Sequence, residues 1–286
     1  MNIQWYPGHM TKTRRQMEED VKLVDLVAEV VDARIPISSR NPDIDAMVGS
    51  HPRLIIFNRA DQADQVMTAR WISWFKDKGW GVMETDAKSG KGVGQFSAAA
   101  RSVLRDKIAV WKAKGQVGRP IRAMVVGVPN VGKSTFINKV AKRKSTKASD
   151  RPGITRGKQW VTVDNGLELL DTPGILWPKF EDETIGLHLA FTGAVKDEVT
   201  DMEGLASALL ELLQERYPGA LKERYKLTCL DGLPGWKLLE QAARRRGMLV
   251  SGGEADTERM AKVLLDEFRG GKLGRFTLEA PKDIFK

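Results

Sequence analysis

Cysteine is almost missing from this chain: its 286 residues include only Cys229. A single thiol excludes an internal disulfide framework and fits a reducing compartment. Long apolar runs are missing too. None approaches the roughly 20 residues of a membrane span, and the apolar stretch 24–31 is already interrupted by Asp25 and Glu29. The first residues form no apolar signal core, and their Lys and Arg are mixed with Glu18, Glu19 and Asp20, unlike a transit peptide. The expectation is a cytoplasmic protein with no membrane partner. There is no internal repeat and no low-complexity tract. What is present is an ordinary globular balance, 42% hydrophobic and 29% charged, which excludes wholesale disorder. The length suits one domain of about 150–200 residues and a smaller one.

The formal net charge of +9 points weakly to a polyanionic partner, with a merely basic protein as the plain alternative. Residues 1–119 carry 19 basic and 14 acidic groups, 120–199 carry 12 and 9, and 200–286 carry 15 and 14. Charge therefore does not single out the last third, and any RNA face there must come from clustering.

Through about residue 170, short β-branched runs alternate with longer helical patterns, which predicts an α/β fold with a parallel sheet and crossover helices. Strands are expected at 26–31, 54–57, 81–85, 121–126, 160–163 and 168–170. Helices are expected at 11–21, 66–78, 93–111 and 134–141. Residues 112–119, with Gly115 and Gly118, read as a linker. Beyond Trp177-Pro178 the strand signals stop. Three- and four-residue apolar spacing over 205–217, 235–246 and 256–268 predicts a helical domain. Two domains are expected, residues 1–178 and 179–286.

Four motifs carry the chemistry. Gly127-Val-Pro-Asn-Val-Gly-Lys-Ser134 fits a phosphate-binding loop at every fixed position. Its glycines would let backbone N–H groups, with Asn130, Val131, Gly132 and Thr135 among them, turn around phosphate oxygens. Lys133 would reach the β- and γ-phosphates, and the Ser134 hydroxyl would meet Mg²⁺. Asp171-Thr-Pro-Gly174 reads as the turn that senses metal and γ-phosphate, with Asp171 toward Mg²⁺ and the Gly174 amide toward phosphate. Between them Thr155, in Arg151-Pro-Gly-Ile-Thr155 after the polar and basic stretch 142–150, stands where a switch loop would give Mg²⁺ a second oxygen. Asn58-Arg-Ala-Asp61 reads as the guanine motif: a carboxylate at Asp61 can accept from N1–H and the 2-amino group, which adenine cannot offer. Arg59 replaces the usual lysine but keeps a long alkyl stem. In Asp86-Ala-Lys-Ser89, the backbone at Ala87 and Lys88 would meet guanine O6.

The order of these motifs is unusual. The base-reading motif precedes the phosphate loop, where an ordinary GTPase has it last, so the chain reads as a Ras-like domain cut and rejoined. One residue is conspicuous by substitution. Ile175 follows Gly174 where Ras-like enzymes carry the glutamine that orients the attacking water, and an isoleucine cannot do that.

With these motifs, and with Ile3-Gln-Trp-Tyr-Pro-Gly-His-Met10, Val31-Asp-Ala-Arg-Ile-Pro36, Ser39-Arg-Asn-Pro42 and Gly271-Lys-Leu-Gly-Arg-Phe-Thr277, the chain resembles the circularly permuted GTPases of the YlqF/RbgA family over essentially its full length. The resemblance implies a permuted Ras-like P-loop GTPase domain followed by a smaller all-α domain. It also implies a GTP/GDP switch that binds a late precursor of the large ribosomal subunit, touches rRNA through its C-terminal helices, and is a monomer off the particle. It places the catalytic histidine at His9, for which a turn histidine is the alternative. Asn130 matches the asparagine that coordinates K⁺ in potassium-stimulated relatives, with a plain loop asparagine as the alternative. Arg244, Arg245 and Arg246, with Lys272 and Arg275, are candidate RNA contacts, although cations ending a helix also suit its dipole. Trp71 and Trp74 read as core residues, and His51 and His188 as structural. A GTP-dependent binding module whose hydrolysis is incidental is the rival class.

Overall fold

A computed structural model describes residues 7–142, 160–164, 166–172, 182–195, 197, 201–227 and 232–281, with the backbone alone for 7–13 and 142. The chain divides into two compact units. The first holds residues 2–179 together with the tail from Glu279, and the second holds Phe180–Leu278. The tail thus departs from the expected division into two consecutive blocks. Its physical reason is a set of hydrogen bonds made by Glu279, described below.

In chain order the first unit runs α1 (Pro7–Val21), β1 (Leu26–Asp32), α2 (Asp43–Val48), β2 (Arg53–Asn58), α3 (Gln65–Asp77) and β3 (Gly81–Glu84). A 3-10 turn, Val93–Gln95, leads into α4 (Phe96–Val103) and α5 (Arg105–Ala113). Then come β4 (Ile121–Val126), α6 (Lys133–Lys142), β5 (Trp160–Asp164) and β6 (Leu167–Asp171). The six strands lie in the order β3-β2-β1-β4-β6-β5. All neighbours pair in parallel except β5 and β6, an antiparallel pair turning through Gly166 at φ +109°. The parallel strands read as continuous apolar runs because helices cover both faces.

Register fixes the two faces. Val27 lies opposite Met124, and Val31 opposite Phe57. These side chains pack with Met17 and Val21 of α1, Ile44 and Val48 of α2, and Trp71 and Phe75 of α3. Burying a large apolar side chain is worth about 1.5–3 kcal/mol, so this layer supplies much of the unit's stability. The apolar face is interrupted by Glu29, almost wholly buried in mid-strand. Arg40 pairs with both its carboxylate oxygens at 3.0 Å, and Arg40 and Arg53 stack on the Trp80 ring, 4.9 and 4.7 Å from its centroid. Burial raises the Glu29 carboxyl above its ordinary range, opposed by Arg40. On the other face Phe96 of α4 meets Phe136 of α6 edge to face at 5.3 Å.

The expected single helix 93–111 is two helices that meet at Leu104, whose buried side chain follows the α4 face while no residue of α5 is buried. The linker is anchored at its far end, where Arg119 and the Arg122 amide bond to Asp25 at 3.0 and 3.1 Å.

The second unit is helical: α7 (Glu183–Phe191), α8 (Met202–Arg216), α9 (Pro218–Tyr225), α10 (Gly235–Arg245) and α11 (Thr257–Arg269). Asp182, Asp201 and Asp256 cap α7, α8 and α11 by accepting from backbone N–H groups. Leu205, Leu209, Leu213, Leu238, Leu239, Met260, Leu264 and Phe268 form its buried interior. Gly235 lets α10 approach α8, since a Cβ there would collide with the Ser207 carbonyl. No helix among the described residues is long and apolar enough to cross a membrane.

Candidate functional site

The phosphate loop leaves the C-terminal end of β4 and enters α6, at the point where the sheet order turns outward from β1 and β4. Ligand crevices in such sheets open there. A Cβ on Gly127 would lie 2.5 Å from the Val30 carbonyl oxygen, so only glycine lets β4 turn away beside β1. Asn130 and Gly132 take left-handed backbone at φ +58° and +101°, on either side of Val131. This alternation gathers successive N–H groups into an anion-binding concavity at the positive end of α6. Lys133 is buried, and its Nζ donates to the carbonyls of Gly127 and Val128 at 2.9 Å each. Burial pushes this ammonium down to about 8, with Asp171 at the end of β6 pulling the other way. Partial burial in turn raises the Asp171 carboxyl, opposed by Lys133.

Ser134 and Thr135 are exposed at the loop. The Ser134 hydroxyl and Asp171 carboxylate are hard oxygen donors of the kind Mg²⁺ takes, so the donor chemistry fits the ion. Thr172 donates to the Val125 carbonyl at 2.6 Å, fixing the start of the sensing turn against β4. Thr155, Gly174 and Ile175 lie outside the described residues, and for His9 only the backbone, in the first turn of α1, is described.

The base motif follows β2. Asn58, almost wholly buried, is engaged inside the protein. Its Nδ2 donates to the Val131 carbonyl at 2.8 Å, and its Oδ1 accepts from the Ala87 amide at 3.0 Å and the Thr85 hydroxyl at 3.3 Å. One side chain therefore ties the phosphate loop to the second base-side loop. Gly132 takes part from the other direction, because a Cβ there would run into Asn58 Nδ2. Asp86 shapes the second loop by accepting from the Lys88 and Ser89 amides at 2.9 and 3.2 Å. Desolvation works against the ionised Asp86, but bonds from Ser89 and Lys88 win and hold its carboxyl low. Ala87 is buried, while Lys88 and Asp61 are exposed. Arg59, at φ +59°, donates to the Asn130 carbonyl at 3.0 Å and lies 3.7 Å from Asp32. Arg59 and Asn58 thus reach Asn130 and Val131 across 71 and 73 positions.

The sequence assigned no role to Asp32, Arg34 or Ser39, although the motif containing them was visible. Arg34 is fully buried and grips both Asp32 oxygens, at 2.9 and 2.7 Å. Burial raises the Asp32 carboxyl and the Arg34 guanidinium outweighs it, so Asp32 stays ionised. Glu279 was also missed, and no local signal marks it.

In the second unit the five candidate RNA contacts differ in engagement. Arg244 bonds to Glu240 and to the Gly253 carbonyl. Arg246 pairs with Glu267 at 3.0 Å, beside the Arg224–Glu267 pair. Arg245, Lys272 and Arg275 are exposed. Trp71 is buried, as expected of a core residue, and His188 is buried within α7.

Comparison with known proteins matches these features. A family described as 50S ribosome-binding GTPase matches residues 122–217. Ribosome biogenesis GTPase A of Bacillus cereus is 47% identical over 286 residues, covering 99% of this chain and 96% of that protein. The protein of the same name from Thermotoga maritima is 32% identical, covering 99% and 96%. A solved GDP-bound YlqF superposes with a TM-score of 0.68 at 30% identity, covering 94% of this chain and all of that one. A GNP-bound YlqF from T. maritima gives 0.64 at 29%, covering 95% and 99%. The permuted order of strands and motifs has its counterpart in that fold. This chain is a circularly permuted GTPase and belongs to the ribosome biogenesis GTPase A family.

Proposed function

We propose that this GTPase acts as a nucleotide-dependent switch in late assembly of the large ribosomal subunit, contacting rRNA through its helical unit, in the cytoplasm and as a monomer when free. The observation that carries the site reading is the Asn58 side chain, which fastens the phosphate loop to the Ala87–Lys88 loop and so holds two distant segments side by side. The names of the relatives support the ribosomal setting.

In this reading Asp61 accepts from the guanine edge, Ala87 and Lys88 present backbone to the base, and Arg59 lies along it. The loop from Asn130 to Thr135 wraps the phosphates. Lys133 turns from the Gly127 and Val128 carbonyls toward phosphate oxygens, which restore the charge that burial weakens. Hydrolysis breaks the bond between the γ-phosphorus and its bridging oxygen as water adds from the opposite side, giving GDP and inorganic phosphate. Mg²⁺, when bound, supplies charge neutralisation, and Ser134, Asp171 and Thr155 would hold it. K⁺ is proposed as a second cation at the Asn130 side chain, and Gly174 as the amide that meets the γ-phosphate. Since Ile175 cannot orient water, His9 takes that role once the particle positions it.

Sedimentation with large-subunit precursors, using GTP and GDP analogues, tests the switch. More protein should pellet with the GTP analogue, and equal pelleting would remove the nucleotide dependence. His9→Ala should lose most particle-stimulated turnover at unchanged nucleotide affinity.

A further inference from the structure

After the second unit the chain returns to the first at Glu279. Glu279 is 9% exposed, and its carboxylate accepts from the Ile37 amide at 2.7 Å, the Ser38 amide at 2.9 Å and the Ser38 hydroxyl. Its own carbonyl accepts from Trp71 Nε1 at 3.0 Å, on the helix that follows the base motif. An ionised acceptor meeting two backbone N–H groups and a hydroxyl is a strong, directional anchor. Ile37, Ser38 and Trp71 all lie in the first unit.

From that anchor a short series of contacts reaches the phosphate loop. Ser39 shares the loop held by Glu279, and its hydroxyl donates to the Ile35 carbonyl at 2.7 Å while accepting from the Asp32 amide at 2.9 Å. Asp32 is clamped by Arg34 and faces Arg59 Nε at 3.7 Å. Arg59 donates to the Asn130 carbonyl. The residues on this path are buried except Ile37, Arg59 and Asn130, so a displaced loop has little room to relax independently of them.

We propose that Glu279 is a positioning residue for the guanine-nucleotide site, holding the 34–40 loop so that Asp32 aims Arg59 at the phosphate loop. The inference rests on the reading of Asn58–Asp61 as the base side. Without the Glu279 carboxylate the loop loses its buried acceptor, Arg59 loses its fixed neighbour, and nucleotide binds more weakly while chemistry on bound GTP is little changed.

The test measures GDP and GTP-analogue affinity, together with kcat and KM, for the full chain. Glu279→Ala should weaken affinity about tenfold, and Glu279→Gln, which keeps one acceptor, about threefold, with kcat unchanged within a factor of about two. Thermal melting confirms that each variant is folded, and the milder Gln variant decides the matter where Ala unfolds. A double cycle with Arg59→Lys separates positioning from general stability: losses through a shared path are less than additive, whereas additive losses overturn the inference. Asp61→Asn runs alongside as the check on the underlying reading. If it fails to shift preference from guanine to xanthine nucleotides, the base-side reading falls and takes this inference with it. If Asp61→Asn shifts preference but folded Glu279 variants bind GDP as the parent does, only the Glu279 inference is overturned.

Discussion

Replacing Asn58 by alanine is the most searching perturbation of the site, because its amide serves two loops at once. Removal strands the Val131 carbonyl and the Ala87 amide, both on residues with almost no solvent exposure. Each buried group left without a partner costs about 1–3 kcal/mol, so the total for the two is roughly 2–6 kcal/mol. A domain of this size has about 5–15 kcal/mol in hand, so the variant should fold. Part of the loss falls on the nucleotide-bound form, since the phosphate loop and the Ala87–Lys88 loop would no longer be held in register. GDP affinity should drop by at least about tenfold, equivalent to 1.4 kcal/mol. Asn58→Asp is the informative partner. Its carboxylate still accepts from Ala87 but sets an oxygen against the Val131 carbonyl, so it should restore only part of the loss. Gly132→Ala reaches the same contact from the opposite side and should mimic Asn58→Ala. Urea unfolding and GDP titration on the three variants decide the matter. A stability change below about 0.5 kcal/mol together with unaltered GDP affinity would refute the argument.

Lys133 gives a paired pH response. The unfolded lysine keeps its proton to about 10.5 while the folded one releases it near 8, so stability of the nucleotide-free protein should rise between those pH values as nucleotide affinity falls. Lys133→Met should flatten both curves, and parallel curves for parent and variant would contradict the assignment. In the second unit, Arg224 chiefly holds the Glu267 carboxyl near 2, aided by Tyr225 and Arg246 against burial. Its contribution is complete above the ordinary value of 4.5 and is lost as pH falls toward 2, so Glu267→Gln should cost about 2 kcal/mol at neutral pH, allowing for solvent screening, and flatten acid unfolding in that window. For RNA, Arg245→Ala should lower particle affinity and its salt slope, by roughly one phosphate contact, without altering the fold. Arg246→Ala should instead lower the melting temperature, since that arginine pairs with Glu267, and a reduced salt slope without destabilisation would reverse the two roles.

Much of this molecule was readable in advance, for definite reasons. The strand 121–126 was found at its observed bounds because a β-branched run stands between a glycine-bearing linker and a glycine-bearing loop. Helices α10 and α11 were visible because each carries an apolar stripe with three- and four-residue spacing. Helix α7, apolar on nearly every side, shows no stripe, and α2 and α9 are too short to display one. The break at Leu104 was hidden because the apolar spacing continues across it. At the site, local motifs named Asn58, Asp61 and Lys133, since each sits in a short pattern with its own chemistry. The partners of Asn58 and the place of Glu279 depend on contacts 73 and 241 positions apart, which leave no periodic trace in either segment.

The return of Glu279 to the first unit makes the helical unit an insertion rather than an appendage. Truncation after residue 178 therefore removes two things at once, the helices and the carboxylate that caps the 34–40 loop. A shortened chain with poor nucleotide affinity would say nothing about signalling from the helices, because the GTPase itself would be missing a piece. The fair comparison replaces the helical unit by a flexible Gly/Ser linker and keeps the tail. Both flanks of the helical unit belong to the GTPase unit, so any deletion or graft of the helices has to leave the two of them in place.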